Sequence, residues 1–282
     1  MTTTIKRLTE AEDEQVNDLL NLAFQSSTNR LNDLRLYRRL QPDGWFGAYL
    51  DGRLVGTVGA VSYGSVAHVG FMTVHPDLQG QGIGRRLMEH ILAWLEEQKV
   101  PLVTLDASKK GFPLYQKLGF VEIDETATFE RQIEPSGAAL PSGIQPVSFS
   151  DLDDLVELDK PIFGADRRKV FQTLLELYPE RGFLQRSVDG NIIGFIFSML
   201  NRIGPWVMKE PNGSDALLQT ALTLEYENPV TVCVPSVNQA AVDLLLANGF
   251  ERLRTGRHMS KGDRNIPGER TKVFAQTSMG AG

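Results

Sequence analysis

The run Val69-Gly70-Phe71-Met72-Thr73-Val74-His75-Pro76-Asp77-Leu78-Gln79-Gly80-Gln81-Gly82-Ile83-Gly84-Arg85-Arg86 carries the clearest chemistry in the chain. Strand-forming residues lead into a glycine-rich turn, and a helical apolar pattern follows. Glycine reaches positive φ at little cost and lets backbone approach a ligand closely. Where such a turn opens a helix, the N–H groups of the first turn converge on one point and the helix dipole adds positive potential. The chemistry implied is the binding of a phosphate-bearing ligand. Arg85 and Arg86 add charge beside it, and one is expected to face the phosphates while the other faces solvent. The spacing is not the GxGxxG of a dinucleotide fold, because the third glycine comes one residue early. Nor is it a Walker loop, which ends in Gly-Lys-Ser/Thr.

The elements that must hold this turn can be read from periodicity. Helices are expected over Glu10–Phe24, Leu31–Leu40 and Gly84–Gln98, and a short one over Pro113–Leu118. Strands are expected over Trp45–Leu50, Arg53–Tyr63, Ala67–Val74 and Leu102–Asp106, with Asp51-Gly52 as a hairpin turn. From Glu134 to Gln145 the chain is rich in Pro, Gly, Ser and Ala and has no period. It reads as a linker between a first domain, 1–133, and a second, 146–282.

The second half repeats the order of the first. Gly47–Gly56 is echoed by Phe183–Gly194, Leu102–Asp106 by Val230–Val234, and Leu114–Phe120 by Leu244–Phe250. Two copies of one α+β unit follow. The 282 residues, 41 % hydrophobic and 23 % charged, suit two soluble domains. The net charge of −6 argues against nucleic acid as a partner and mildly favours a cationic substrate. No apolar run is long enough to span a bilayer, and the N-terminus lacks the apolar region of a secretory signal. With Cys233 alone and four scattered histidines, no disulfide and no zinc spacing arise, so no metal is expected and a cytoplasmic setting fits.

Gln79-Gly80-Gln81-Gly82-Ile83-Gly84 resembles the Q/R-x-x-G-x-G/A signature of the GNAT superfamily of N-acetyltransferases. Leu114-Tyr115-Gln116-Lys117-Leu118-Gly119-Phe120 looks like the end of its second signature. The resemblance covers roughly residues 5–131 and implies a mixed, mainly antiparallel sheet flanked by helices in each tandem domain. It implies acetyl-CoA as co-substrate, with Gln79, Gly80, Gln81, Gly82, Ile83, Gly84 and Arg85 at the pyrophosphate. Met72 and Val74 would line the pantetheine arm, and the N–H of Thr73 would meet the oxyanion. The family's tyrosine falls on Tyr115, which would protonate the departing thiolate as a phenol neutral at physiological pH. His68, expected on the strand face of Gly70, Met72 and Val74, matches a position where some members carry a base. It is a candidate for the amine proton, alongside water and a partly exposed strand histidine with no catalytic part. His75 and Asp106 read as structural.

The second copy has lost this chemistry. Lys209-Glu210-Pro211-Asn212-Gly213-Ser214-Asp215 keeps one glycine and gains two acids, and Leu245 replaces the tyrosine. Its string Asp159-Lys160-Pro161-Ile162-Phe163-Gly164-Ala165-Asp166-Arg167 resembles the FGADR segment of bacterial two-domain GNAT proteins. Asp166 is either a helix cap or, with Arg167, part of an acceptor pocket holding an ammonium and a carboxylate. The reading is an acetyl-CoA-dependent N-acetyltransferase whose small-molecule amine attacks directly in a ternary complex. A non-catalytic acyl-CoA sensor and a transferase using another acyl donor remain alternatives. A homodimer stays open.

Overall fold

The computed structural model describes residues 3–134, 141–227, 229–263 and 265–282, so residues 135–140 of the expected linker lie outside the described residues. The first half runs β1 (Thr4–Arg7), α1 (Asp13–Phe24), α2 (Leu31–Leu40), β2 (Trp45–Leu50), β3 (Arg53–Ser62), β4 (Val66–Val74), α3 (Ile83–Glu97), β5 (Leu102–Ala107), α4 (Phe112–Lys117) and β6 (Val121–Arg131). The second runs β7 (Ile144–Pro146), α5 (Leu152–Phe163), α6 (Arg168–Leu177), β8 (Gly182–Arg186), β9 (Ile192–Ser198), β10 (Arg202–Met208), α7 (Ser214–Ala221), β11 (Val230–Pro235), α8 (Gln239–Ala247), β12 (Glu251–Gly262) and β13 (Val273–Ala275). Each expected element is present within a few residues. Helix α1 starts at Asp13 rather than Glu10 because residues 10–12 form one 3-10 turn, closed by a Thr9–Glu12 capping box.

The described chain clusters into two units that part at Leu105/Asp106, with Ala281 counted in the first. In the first unit, β1 to β4 form an antiparallel meander, and β5 joins β4 in parallel. The sheet needs a cover because its strands are apolar on both faces. Helix α3 supplies one: Ile83, Leu87, Ile91, Trp94 and Leu95 recur at helical spacing and are buried. Each such side chain removed from water contributes roughly 1.5–3 kcal/mol before entropy is counted. Tyr37, Trp45 and Phe71 form an aromatic cluster with centroids 5.0–5.9 Å apart.

In the second unit β7, β8, β9 and β10 are antiparallel neighbours, β11 joins β10 in parallel, and β13 closes on β10. Its core gathers Phe129, Trp206, Val232, Leu217, Leu245 and Phe274. Strand β6 belongs here too. It follows the first copy's Gly119-Phe120, yet it pairs with β11 along one edge and β12 along the other. That double pairing is why the units part upstream of the expected 134–145 linker. The tandem α+β architecture, mixed and mainly antiparallel, is the one expected.

Candidate active site

Strands β4 and β5 pair over Val66–Val69 against Leu102–Leu105. Beyond that point β4 stays paired only with β3, through Gly59–Gly70, Thr57–Thr73 and Gly56–Val74. The register shifts between those pairs, and Phe71 takes φ 49°, a bulge that turns the strand. Thr57 Oγ1 fixes the bulge by donating to the Phe71 carbonyl at 2.7 Å. Residues 70–74, including Met72, Thr73 and Val74, thus offer a backbone edge that β5 does not use.

The bulge has a consequence for His68. Two residues of β4 stand opposite one of β3, so Thr73, not Met72 or Val74, returns to the face of His68 and Gly70. The expected shared face of His68, Met72 and Val74 does not exist. His68 is also only 2 % exposed, and its Nδ1 meets Thr104 Oγ1 at 3.0 Å inside the paired part of β4 and β5. His68 thus lies within the paired part of β4 and β5, on the face of Thr73 rather than that of Met72 and Val74.

After β4 the loop is pinned by local bonds. His75 N donates to Val55 O at 2.8 Å, and Gln79 Nε2 donates to Val74 O at 3.1 Å. Gln79 thus braces the strand end with its side chain. Gly80 and Gly82 take φ 79° and 82°, and Gly82 is the N-cap of α3, with no side chain capping the first-turn N–H groups. A side chain is excluded at Gly82 by conformation rather than by crowding, since the nearest atom to a Cβ there would be Arg86 Nη1 at 4.0 Å. Gln81, Ile83 and Gly84 complete the turn, with Ile83 anchored in the core. Arg85 is committed to Glu89 at 2.8 Å, whereas Arg86 lies back over the loop and donates to Thr3. The cation nearer the turn is Arg86, where Arg85 was expected.

The counterpart loop is filled. Gly213 caps α7 at φ 85°, but a Cβ there would fall 2.3 Å from Oε1 of Gln185, a buried oxygen without a hydrogen-bond donor among the described residues. The Gln185 amide occupies the space that is open at Gly82.

Tyr115 sits on α4, 8 % exposed and edge-on to Phe120. Burial raises its phenol well above the ordinary value near 10. Its hydroxyl has no hydrogen-bond partner among the described residues, and the raised pKa keeps the proton on oxygen. Asp106 does more than pack. Its Oδ1 receives Thr126 Oγ1 at 2.7 Å and His258 Nδ1 at 2.9 Å, and its Oδ2 receives Gln276 Nε2 at 3.2 Å. These partners lie far along the chain, in strand pairings that sequence periods do not reveal.

Asp166 and Arg167 separate. Asp166 is exposed and accepts from Arg168 N at 2.8 Å, from one position ahead of the N-cap residue Arg167. Arg167 is enclosed: Asp159 receives its Nε and Nη2 at 2.9 and 2.6 Å, Thr277 receives Nη1, and Phe163 lies 3.9 Å below the guanidinium. With every face occupied, Arg167 has none for an acceptor carboxylate, and the expected pocket role is corrected to a buried ion pair. Among the described residues no group of three or more His, Cys, Asp or Glu is placed to hold a metal, and no helix is long and apolar enough to cross a membrane.

Residues 13–120 match the acetyltransferase (GNAT) family, and residues 155–275 match an acetyltransferase (GNAT) domain. The chain is 25 % identical over 254 residues to the uncharacterized N-acetyltransferase YitH of Bacillus subtilis, covering 88 % of this chain and 89 % of that one. It is 25 % identical over 258 residues to holothin acyltransferase of a Pseudoalteromonas species, covering 89 % and 86 %. A putative acetyltransferase from Pyrococcus horikoshii superposes with a TM-score of 0.86 at 24 % identity, covering 99 % of this chain and 96 % of that one. A tandem GNAT protein from the clavulanic acid biosynthesis pathway gives 0.60 at 16 % identity, covering 93 % and 98 %. Two family domains in series, one with an open glycine turn and one with that turn filled, identify the chain as a two-domain acetyltransferase of the GNAT superfamily.

Proposed function

We propose that the chain moves an acetyl group from acetyl-CoA to a primary amine by direct attack in a ternary complex. The observation that carries this is the contrast between the two glycine turns. At Gly82 no side chain caps the first turn of α3 and the place a Cβ would take is open, which suits close approach by a pyrophosphate. At Gly213 the Gln185 amide fills the same place. One donor site per chain follows, in the first half.

The edge of β4 from Gly70 to Val74 supplies backbone groups for the pantetheine arm, with Thr73 N–H toward the oxyanion. Attack by the amine nitrogen on the thioester carbon breaks the C–S bond, and the neutral Tyr115 phenol protonates the leaving sulfur. Cys233 is buried in the second unit, and burial raises its thiol pKa, so an acyl-cysteine intermediate has no support. A small-molecule acceptor and a cytoplasmic setting fit the chain.

The test has two arms. Calorimetry with CoA should give one site per chain. Release of free CoA thiol should follow addition of acetyl-CoA with tyramine, spermidine, lysine or kanamycin. Binding without release from any amine would favour a sensor, and release only with a longer acyl-CoA would change the donor.

A further inference from the structure

Arg86 is the fourth residue of α3, which begins at Ile83. Long side chains on a helix lean toward its N-terminus, so a residue at this position covers the turn that leads into the helix. Arg86 does so. Its Nη1 lies 4.0 Å from the place a Cβ would take on Gly82, and its Nη2 donates to Thr3 Oγ1 at 2.8 Å. Thr3, Gly82 and Arg86 all belong to the first unit.

This placement is unfavourable for the protein by itself. The N-terminal end of a helix carries partial positive charge, so a cation there is repelled. The first turn of α3 holds no acidic residue to offset it. Arg85 is offset by another route, since Glu89, one turn on, receives its Nε at 2.8 Å. Arg86 is paired with no carboxylate among the described residues, although the chain carries 35 acidic residues against 29 lysines and arginines. Its partner, the Thr3 hydroxyl, is neutral. It sets the direction of the guanidinium and leaves the charge in full. A guanidinium has five N–H donors in a planar fork, and the bond to Thr3 uses one of them. The rest suit the paired oxygens of a phosphate, and an anion at the turn would relieve the repulsion between Arg86 and the helix end.

Resting on the acetyltransferase reading above, we propose that Arg86, positioned by Thr3, grips a phosphate of the acyl-CoA donor beside the Gly82 turn. Backbone N–H groups of the turn then share the phosphate oxygens with a side chain held ready for them. CoA presents this chemistry twice, in its diphosphate and in its ribose phosphate. Arg85 contributes less, because its charge is already met by Glu89.

The experiment is calorimetry on the full chain with CoA and with dephospho-CoA, which lacks the ribose phosphate, at about 0.05 M and about 0.3 M salt. Arg86→Gln keeps a good helix former and removes the charge. It should weaken CoA binding about tenfold at low salt, the loss expected for a charge-assisted hydrogen bond, and by less at high salt. Without ligand its melting temperature should stay within about 2 °C of wild type. A merely structural bond to Thr3 would instead lower the melting temperature and leave affinity alone. Thr3→Val removes the acceptor and should take part of the same loss in affinity, and Thr3→Ser should restore it. Arg85→Gln should cost less affinity than Arg86→Gln. A loss with both ligands assigns Arg86 to the diphosphate, and a loss with CoA alone assigns it to the ribose phosphate. Wild-type affinity for both ligands in a folded Arg86→Gln protein overturns the proposal, as does an equal loss in Arg85→Gln. If the wild type binds neither ligand, the acetyltransferase reading falls with it. If the wild type binds CoA and Arg86→Gln binds as well, only this proposal falls.

Discussion

Gly111 passes so close beneath Tyr115 that a Cβ at residue 111 would stand 2.9 Å from ring carbon Cε2 and 3.4 Å from the hydroxyl. The φ there is −78°, open to any residue, so the requirement is for space. Gly111→Ala should push the phenol off its position, with an overpacking cost of about 1–3 kcal/mol. The expected result is a fall in kcat of about tenfold or more at unchanged CoA affinity. Steady-state kinetics beside calorimetry will decide it, and wild-type kcat in the variant would show that the hydroxyl position does not matter.

Tyr115→Phe removes the proton donor while keeping the ring against Phe120. The hydroxyl matters most as charge develops on sulfur, so the loss belongs in kcat, about 10²–10⁴-fold. Single-turnover measurements should show the same loss in the chemical step, and CoA affinity should change by no more than about twofold.

The pH dependence follows from the same burial. A phenol raised above its ordinary value by desolvation stays protonated where a free phenol near 10 would begin to ionise. The acid form is thus present through the alkaline range, and no falling limb from Tyr115 should appear below about pH 10 in the kcat profile. Stability has the matching sign. It is intact below the unfolded pKa and declines as pH rises above it, because the unfolded chain ionises first. A falling kcat limb centred near pH 8 that disappears in Tyr115→Phe would contradict the burial argument.

The two capping glycines give a matched pair. Gly82→Val strains a φ of 82° and puts a branched side chain where phosphate oxygens would sit, so CoA binding should weaken at least about 100-fold. Gly213→Val collides with Gln185 and should lower the melting temperature while leaving CoA affinity near wild type. Calorimetry on both variants checks the assignment, and equal losses of CoA affinity would refute it.

Arg167→Ala leaves Asp159 buried without its partner. Breaking a pair of this kind costs about 3–5 kcal/mol, so urea denaturation should show a large loss of stability. Acceptor KM, measured at a temperature where the variant is still folded, should stay near wild type.

Much of the site was legible because its signal is local. A strand, three glycines and a helix within Val69–Arg86 specify one backbone shape, and that shape is what forms. Helix boundaries held to within a few residues for the same reason. What escaped was set by partners distant in sequence. The φ of Phe71 depends on Thr57 across the sheet, and it moved His68 off the face that simple alternation assigns. Arg167 reads as a surface charge until Asp159, Phe163 and Thr277 close around it. His258 carries no local pattern and meets Asp106 from 152 residues further along the chain. Gln185 lies in an ordinary strand, and nothing near it in sequence announces that it fills a turn at Gly213.

Strand β6 has a further meaning for how the protein is made. A chain leaving the ribosome presents β6 well before β11 and β12 exist, so both edges of an eleven-residue strand must wait for later synthesis. Pairing across so long a stretch of sequence closes slowly, and an unpaired edge invites association with other chains in the interval. The two copies are therefore not independent cassettes. The first cannot be completed without the strands of the second, which gives the half without a phosphate turn a reason to persist: it finishes the sheet to which β6 belongs.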